Sequence, residues 1–144
     1  MKEKTIGRTL KASKKFEIRF SEVDSMKYVW HGSYAKYFED AREEFGRKYG
    51  LGYLDIFGHG CYAPLVDLTF HYAKPMFYGM HPRIDIIYRP TMAAKIEFDY
   101  EIHDTKDNDL LVTGHSTQVF IDKDYQLVWT NPEFYEKWKE KWVL

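Results

Sequence analysis

Two periodicities run through the chain, and their order predicts its elements. From Lys15 to Ser21, KFEIRFS alternates Phe16, Ile18 and Phe20 with polar neighbours, the period of a half-buried strand. EVDSMKYVWHGS then follows neither period and ends in Gly32-Ser33, so residues 22 to 32 read as a loop with Ser33 as helix N-cap. From Tyr34 the apolar positions Tyr34, Tyr37, Phe38, Ala41, Phe45 and Tyr49 recur every three or four residues, with Lys36, Glu39, Asp40, Arg42, Glu43 and Lys48 on the other face. That is an amphipathic helix, with Arg47 and Lys48 at its carbonyl end and Gly50 placed to stop it in the left-handed conformation. Gly46, inside it, costs about 1 kcal/mol against alanine, so it either admits a close neighbour or is tolerated.

LGYLDIFGHG reads as a connecting loop; it lacks the G-x-G-x-x-G spacing and follows a helix, which rejects a dinucleotide cradle. Four alternating stretches follow without an intervening helix: CYAPLVDLTFHYA, PRIDIIYRP, KIEFDYEIH and LLVTGHSTQVFID. In the third, Ile96, Phe98, Tyr100 and Ile102 face one way and Lys95, Glu97, Asp99 and Glu101 the other, so one face is wet. The short joins, Gly79-Met80-His81 and Asp104 to Asn108, predict antiparallel pairing of successive strands. PEFYEKWKEKW is a final amphipathic helix, with Asn131 as N-cap and Pro132 in the first helical position. Strand, long helix, four strands and terminal helix make an α+β chain, and one helix of about five turns is most economically covered by a curved sheet.

The 144 residues fit one domain, 1-144, with a basic segment at 1-14 and a terminal helix at 131-142. Lys+Arg 21 against Asp+Glu 22 gives a net charge of -1, which argues against nucleic acid as a partner. The basic start, with six Lys/Arg in fifteen residues, reads as a solvated tail. Cys61 is the single cysteine, so neither an intrachain disulfide nor a thiolate metal cluster is expected, and a reducing cytoplasmic location follows. No apolar run reaches membrane-span length, and the first residues lack the apolar stretch of a signal peptide. The histidines 59, 71, 81, 103 and 115 form no close helical pair, so no metal and no cofactor is expected. The 18% aromatic content suits a core, a subunit interface or an acyl-lined cleft, and points to an oligomer.

Candidate chemistry concentrates at FSEVDSMKYVWHGSYAKYFEDAR. Asp24 stands between a strand and a helix start, beside Tyr28, Trp30 and Tyr34, whose rings could exclude water and leave the carboxylate a better base or nucleophile. The free N-H groups and positive dipole end of the helix would polarise a carbonyl and hold the oxyanion formed on attack. An acyl-transfer site is one reading; an ordinary turn-forming Asp24 is the other.

The same stretch resembles the N-terminal signature of the 4-hydroxybenzoyl-CoA thioesterase family of hot-dog-fold proteins, with Asp24, His31, Tyr34, Glu39 and Arg42 at matching positions. LVDLTFHYAKPMFYGM and LLVTGHSTQVFID look like later strands of that family, so the resemblance spans roughly residues 14 to 125. It implies a hot-dog fold: a five-stranded antiparallel sheet wrapped around one long helix, dimerised through the sheets, with active sites at subunit interfaces in a homodimer or homotetramer. It also implies hydrolysis of acyl-CoA or acyl-carrier thioesters, with Asp24 as nucleophile or general base and the His31 backbone N-H as oxyanion donor. An activated thioester needs positioning and polarisation more than a proton relay.

The chain departs from the family where Ser25-Met26-Lys27 replaces a turn that often carries glycine, which bears on the oxyanion geometry. Lys27 reads as a solvated turn residue. Glu39 and Arg42, three apart on the helix, read as a local ion pair, and Arg89 as a contact for CoA phosphates. The rivals to hydrolysis are an acyl-CoA or acyl-carrier binding module without turnover, a dehydratase of hydroxyacyl thioesters using His31 and Glu39, and a dimerisation domain without ligand.

Overall fold

The computed structural model describes residues 9 to 143. Its long strands are β1 (Lys11–Lys15), β3 (Leu65–Tyr72), β4 (Pro82–Arg89), β5 (Lys95–Asp104) and β6 (Leu110–Asp122), and the two-residue strands β2 (Cys61–Tyr62) and β7 (Leu127–Val128) attach to β6. All pairs are antiparallel, and the long strands run in the order β1-β4-β5-β6-β3. The sheet curls over helix α1 (Tyr34–Tyr49), whose six predicted apolar positions are all buried. Helix α2 (Tyr53–Gly58) follows α1, and α3 (Glu133–Trp142) closes the end of the sheet where α1 stops, Trp138 Nε1 donating to the Tyr49 carbonyl at 2.7 Å.

Two glycines set how near α1 comes to its surroundings. At Gly114 on β6 a Cβ would lie 2.2 Å from the Phe38 ring, which stacks on Tyr100 of β5 at 4.1 Å. At Gly46 a Cβ would lie 2.4 Å from Gly52 Cα, so the helix interior uses glycine to let the following backbone fold back against it. Gly50 takes φ 76° and ends α1 with its N-H on the Gly46 carbonyl.

The structure corrects several expectations. The first strand lies at Lys11–Lys15 instead of 15-21, so the end of the basic segment expected at 1-14 as a solvated tail is sheet, with Leu10 and Ala12 buried, while residues 1–8 of that segment lie outside the described residues. The β1 ladder stops where β4 begins: the last bond runs from Phe16 N-H to the Pro82 carbonyl, and the preceding Gly79–His81 turn offers no partner strand. Phe16 and Ile18 still face the core, but Phe20 enters a 3-10 turn and is 73% exposed. LGYLDIFGHG contains α2 instead of being loop throughout, burying Ile56. Pro64, which has no N-H for a ladder, parts β2 from β3. β3 and β4 are not neighbours despite their short join, because β5 and β6 lie between them. Ser33 precedes α1 as expected, but its hydroxyl donates to the Glu22 carbonyl at 3.0 Å instead of capping the helix. Pro132 occupies the cap position of α3, one residue after the expected Asn131.

The outer face of β5 is polar, as its alternation predicts. Asp99 accepts from Arg89 Nε at 2.6 Å and lies 2.7 Å from His115 Nδ1, and Glu97 lies 3.7 Å from His115 Nε2. Burial pushes the Asp99 carboxyl up, but the bonds and charges of His115 and Arg89 outweigh it and hold the group below its ordinary value. A carboxyl lowered in this way stabilises the fold above its unfolded value near about 3.9 and ceases to do so as pH falls through its folded value. The melting temperature of the wild type should therefore exceed that of Asp99→Asn at neutral pH, with the gap closing below about pH 4 in thermal unfolding measured from pH 3 to 7. Gly46→Ala should destabilise despite alanine's higher helix propensity, because overpacking against backbone costs about 1–3 kcal/mol, more than the roughly 1 kcal/mol gained. A chemical denaturation midpoint unchanged or raised would show that the backbone at Gly52 yields.

Candidate active site

The loop from Glu22 to Trp30 is a folded turn. Val23 bridges Val29, Asp24 N-H donates to the Tyr28 carbonyl at 2.8 Å, and Trp30 N-H donates to the Glu22 carbonyl at 2.9 Å. Asp24 organises the tip: its Oδ1 accepts the amides of Met26 at 2.9 Å and Tyr28 at 3.2 Å. Lys27 takes φ 66°, the left-handed conformation for which glycine is best suited, so the turn forms at the backbone cost of a non-glycine residue.

Glu22 holds this turn to the helix. Its carboxylate, 7% exposed, accepts the Tyr37 hydroxyl from α1 at 3.0 Å and the Arg19 amide at 2.8 Å. Burial, and then the bond to Glu22, push the Tyr37 phenol far above its ordinary value, so it stays a proton donor to the carboxylate. The sequence marked Tyr37 only as a buried position of the helix stripe and did not join it to Glu22, since one acidic residue before a turn carries no spacing signal.

The expected site residues separate into three places. Asp24, Tyr28, Trp30 and His31 surround the turn and the 3-10 turn (His31–Ser33) that leads into α1. Asp24 is exposed and no protein partner of its Oδ2 occurs among the described residues. Tyr28 packs on Phe77 at 4.6 Å, and the half-exposed Trp30 ring lies against His31 at 4.9 Å, folded over Gly32 where a Cβ would clash. The His31 N-H finds no acceptor among the described residues. Tyr34 instead belongs to the core, against Tyr72 and Tyr37, where burial pushes its phenol up to about 12. Arg89 lies on the outer face at the opposite end of the sheet, paired with Asp99: it faces Glu97 in the β4–β5 register, whereas the α1 start meets Tyr72 at the other end. The expected Glu39–Arg42 ion pair does not form; Arg42 Nη1 donates to the Tyr100 hydroxyl at 3.2 Å.

A cavity of about 540 Å³ lies at the Leu65 end of β3, between α1, α2 and the sheet. Its walls are mainly apolar, with Leu51, Ile56, Cys61, Ile96 and Phe98 buried behind it and Glu39, Arg42, Glu43 and Gln118 as charged or amide members. None of Asp24, Tyr28, Trp30, His31, Tyr34 and Arg89 lines it. Cys61 there is a buried thiol that burial pushes up, an inert wall rather than a nucleophile. The sequence held one cue to this cavity: Tyr53, Ile56 and Phe57 have the three-and-four spacing of a short amphipathic helix.

No group of His, Cys, Asp and Glu suited to a metal ion occurs among the described residues, and none of their helices is long and apolar enough to cross a membrane.

Residues 18–138 match the thioesterase-like superfamily. A Bacillus subtilis (strain 168) protein bearing the name "Putative acyl-CoA thioesterase YneP" is 26% identical over 113 residues, 78% of this chain and 81% of that one. The structure of a DHNA-CoA thioesterase from Staphylococcus aureus superposes with a TM-score of 0.82 at 27% identity, covering 91% of this chain and 89% of that one. A 1,4-dihydroxy-2-naphthoyl-CoA thioesterase from Synechocystis shares the fold at a TM-score of 0.78 and 17% identity, over 89% and 94% of the two chains. With a helix wrapped by an antiparallel sheet and a family match over most of its length, the chain belongs to the thioesterase-like superfamily of hot-dog folds.

Proposed function

We propose that the protein hydrolyses acyl-CoA or acyl-carrier thioesters, with Asp24 as nucleophile or general base and the His31 backbone N-H as oxyanion donor. The observation that carries this reading is the pinned turn: it presents a carboxylate with one uncommitted oxygen next to the entry of α1, where an amide without an acceptor meets the positive end of the helix dipole. In the reaction, water adds to the acyl carbon, the carbon–sulfur bond breaks, and the thiol leaves with a proton. Tyr28 and Trp30 would flank the substrate as apolar walls. A reducing cytoplasm is the expected setting.

The site is completed by a second copy of the chain. Among the described residues β3 has β6 as its one long neighbour, which leaves its other edge for pairing. The turn bearing Asp24 sits at the Tyr72 end of β3 and the 540 Å³ cavity at the Leu65 end. Antiparallel pairing of β3 with its copy lays one protomer's Tyr72 end against its partner's Leu65 end, so Asp24 of one protomer would address an acyl group seated in the cavity of the other. Exposed apolar side chains occur at both ends: Met26, Trp30, Phe77 and Tyr78 at the first, Tyr53 and Leu54 at the second. A homodimer satisfies this arrangement, and a homotetramer would be two such dimers.

Asp24→Asn separates charge from structure, because the amide oxygen of asparagine accepts the same two backbone bonds that the carboxylate does. Its kcat on an acyl-CoA panel, followed by free thiol, should fall at least about a hundredfold with an unchanged melting temperature. An unaltered rate excludes the role assigned to Asp24, and binding without thiol release in the wild type indicates a binding module. Enoyl product from a 3-hydroxyacyl thioester indicates the dehydratase. Light scattering should give at least twice the 17.3 kDa of one chain; a fully active monomer would remove the shared site.

A further inference from the structure

The turn from Glu22 to Trp30 is tied down on two sides. On one side its backbone pairs with the chain between β3 and β4: the Val29 amide donates to the Met76 carbonyl at 2.8 Å, the Tyr78 amide donates to the Lys27 carbonyl at 2.9 Å, and Tyr28 bridges Phe77. On the other side is the entry of α1. Beyond the local bond from Ser33 N-H to the Trp30 carbonyl, the hydrogen bonds that reach this entry from the turn, among the described residues, all end on Glu22. The Glu22 carbonyl accepts the Ser33 hydroxyl and its Oε1 accepts the Tyr37 hydroxyl, each at 3.0 Å. The same carbonyl takes the Trp30 amide at 2.9 Å and the same Oε1 the Arg19 amide at 2.8 Å. One residue thus fastens the chain before the turn, the chain after it and the helix.

Glu22 is buried, and among the described residues no Lys, Arg or His lies within ion-pair distance of it. A carboxylate without a cation is costly to bury, and an uncharged side chain would fasten a turn at lower cost. What the charge adds is strength: hydrogen bonds to an ionised acceptor are shorter and about twice as strong as neutral ones. The two groups whose separation the proposed chemistry depends on lie close to the fastened points, since Asp24 follows Glu22 by two residues and His31 precedes Ser33 by two. A misplacement of about 1 Å at such groups costs up to about a hundredfold in rate. We infer that Glu22 is a positioning residue of the reaction, touching no substrate and acting through Tyr37 and Ser33 to hold Asp24 and the His31 amide at their working separation. This deepens the thioesterase reading and rests on it.

The experiment measures kcat and KM by free thiol release from acetyl-, hexanoyl-, palmitoyl- and benzoyl-CoA, with the folded fraction of each variant fixed by circular dichroism at the assay temperature. Glu22→Ala should lower kcat by about tenfold to a hundredfold while KM stays within about threefold. Glu22→Gln, whose amide oxygen accepts the same two bonds as Oε1, should recover kcat to within about fivefold of the wild type. Tyr37→Phe removes one donor and keeps the ring packed on Phe16 at 4.4 Å, so it reports on the clamp even where Glu22→Ala does not fold; its kcat should fall by about threefold to tenfold. In an Asp24→Asn background either loss should cost less than about threefold, because groups that act as a unit are lost together. A residue that only stabilises the fold lowers the melting temperature and leaves kcat per folded molecule unchanged. That result, an equal cost in both backgrounds, or Glu22→Gln as slow as Glu22→Ala overturns the inference. A wild type that hydrolyses none of the four esters overturns the thioesterase reading and the positioning role together, whereas an active wild type whose kcat survives Glu22→Ala and Tyr37→Phe overturns the positioning role alone.

Discussion

The contact between Phe38 and Gly114 sets the distance on which the rest of the structure depends. A side chain at position 114 would occupy the space of the Phe38 ring, so the absence of one lets α1 settle onto β6 with Phe38 stacked flat on Tyr100. At that separation Tyr34 reaches Tyr72 at one end of the sheet and Phe45 reaches Phe98 at the other, and the aromatic surplus becomes a continuous core. The same approach brings Arg42 to the Tyr100 hydroxyl and leaves it over the sheet instead of in solvent. Aromatic pairs of this kind contribute about 0.5–1.5 kcal/mol each beyond their burial, which makes the helix position energetically well defined.

The second constraint joins the loop to that helix. A buried carboxylate is tolerable only when hydrogen-bonded, and Glu22 meets the requirement with donors from both sides of the junction, the Tyr37 hydroxyl and the Arg19 amide. Its carbonyl takes the Ser33 hydroxyl and the Trp30 amide as well. The turn bearing Asp24 is consequently preorganised by its own protein and need not await a ligand, the condition under which fixed amides stabilise developing charge most effectively.

Much of this was legible in the sequence where one residue type answers one local demand. The stripe from Tyr34 to Tyr49, the stop at Gly50 and the alternation from Lys95 to His103 all follow from period and turn chemistry, and the structure keeps them. Pairing was less legible, because join length constrains direction but not adjacency: β3 and β4 are linked closely yet lie two strands apart. Alternation likewise marked Phe16 and Ile18 as inward without revealing that their ladder partner had ended at Pro82. In the candidate site, the motif located Asp24 and His31 because they share one junction. It missed Glu22 and misassigned Arg42, since an i,i+3 acidic–basic pair is a weak bond in water and a nearby tyrosine hydroxyl competes with it.

Exposed apolar side chains lie along β3 and at both of its ends. An edge strand with free backbone donors and acceptors is a hazard that proteins ordinarily blunt or cover. β3 instead carries exposed Val66 and Tyr72, and exposed aromatic rings flank both of its ends. A two-fold seam, in which each end of the strand meets the opposite end of its copy, would cover that surface. Under that symmetry the separation between Asp24 and the cavity within one chain ceases to be an objection: two incomplete half-sites at opposite ends of one strand are what an antiparallel pairing of that strand would join.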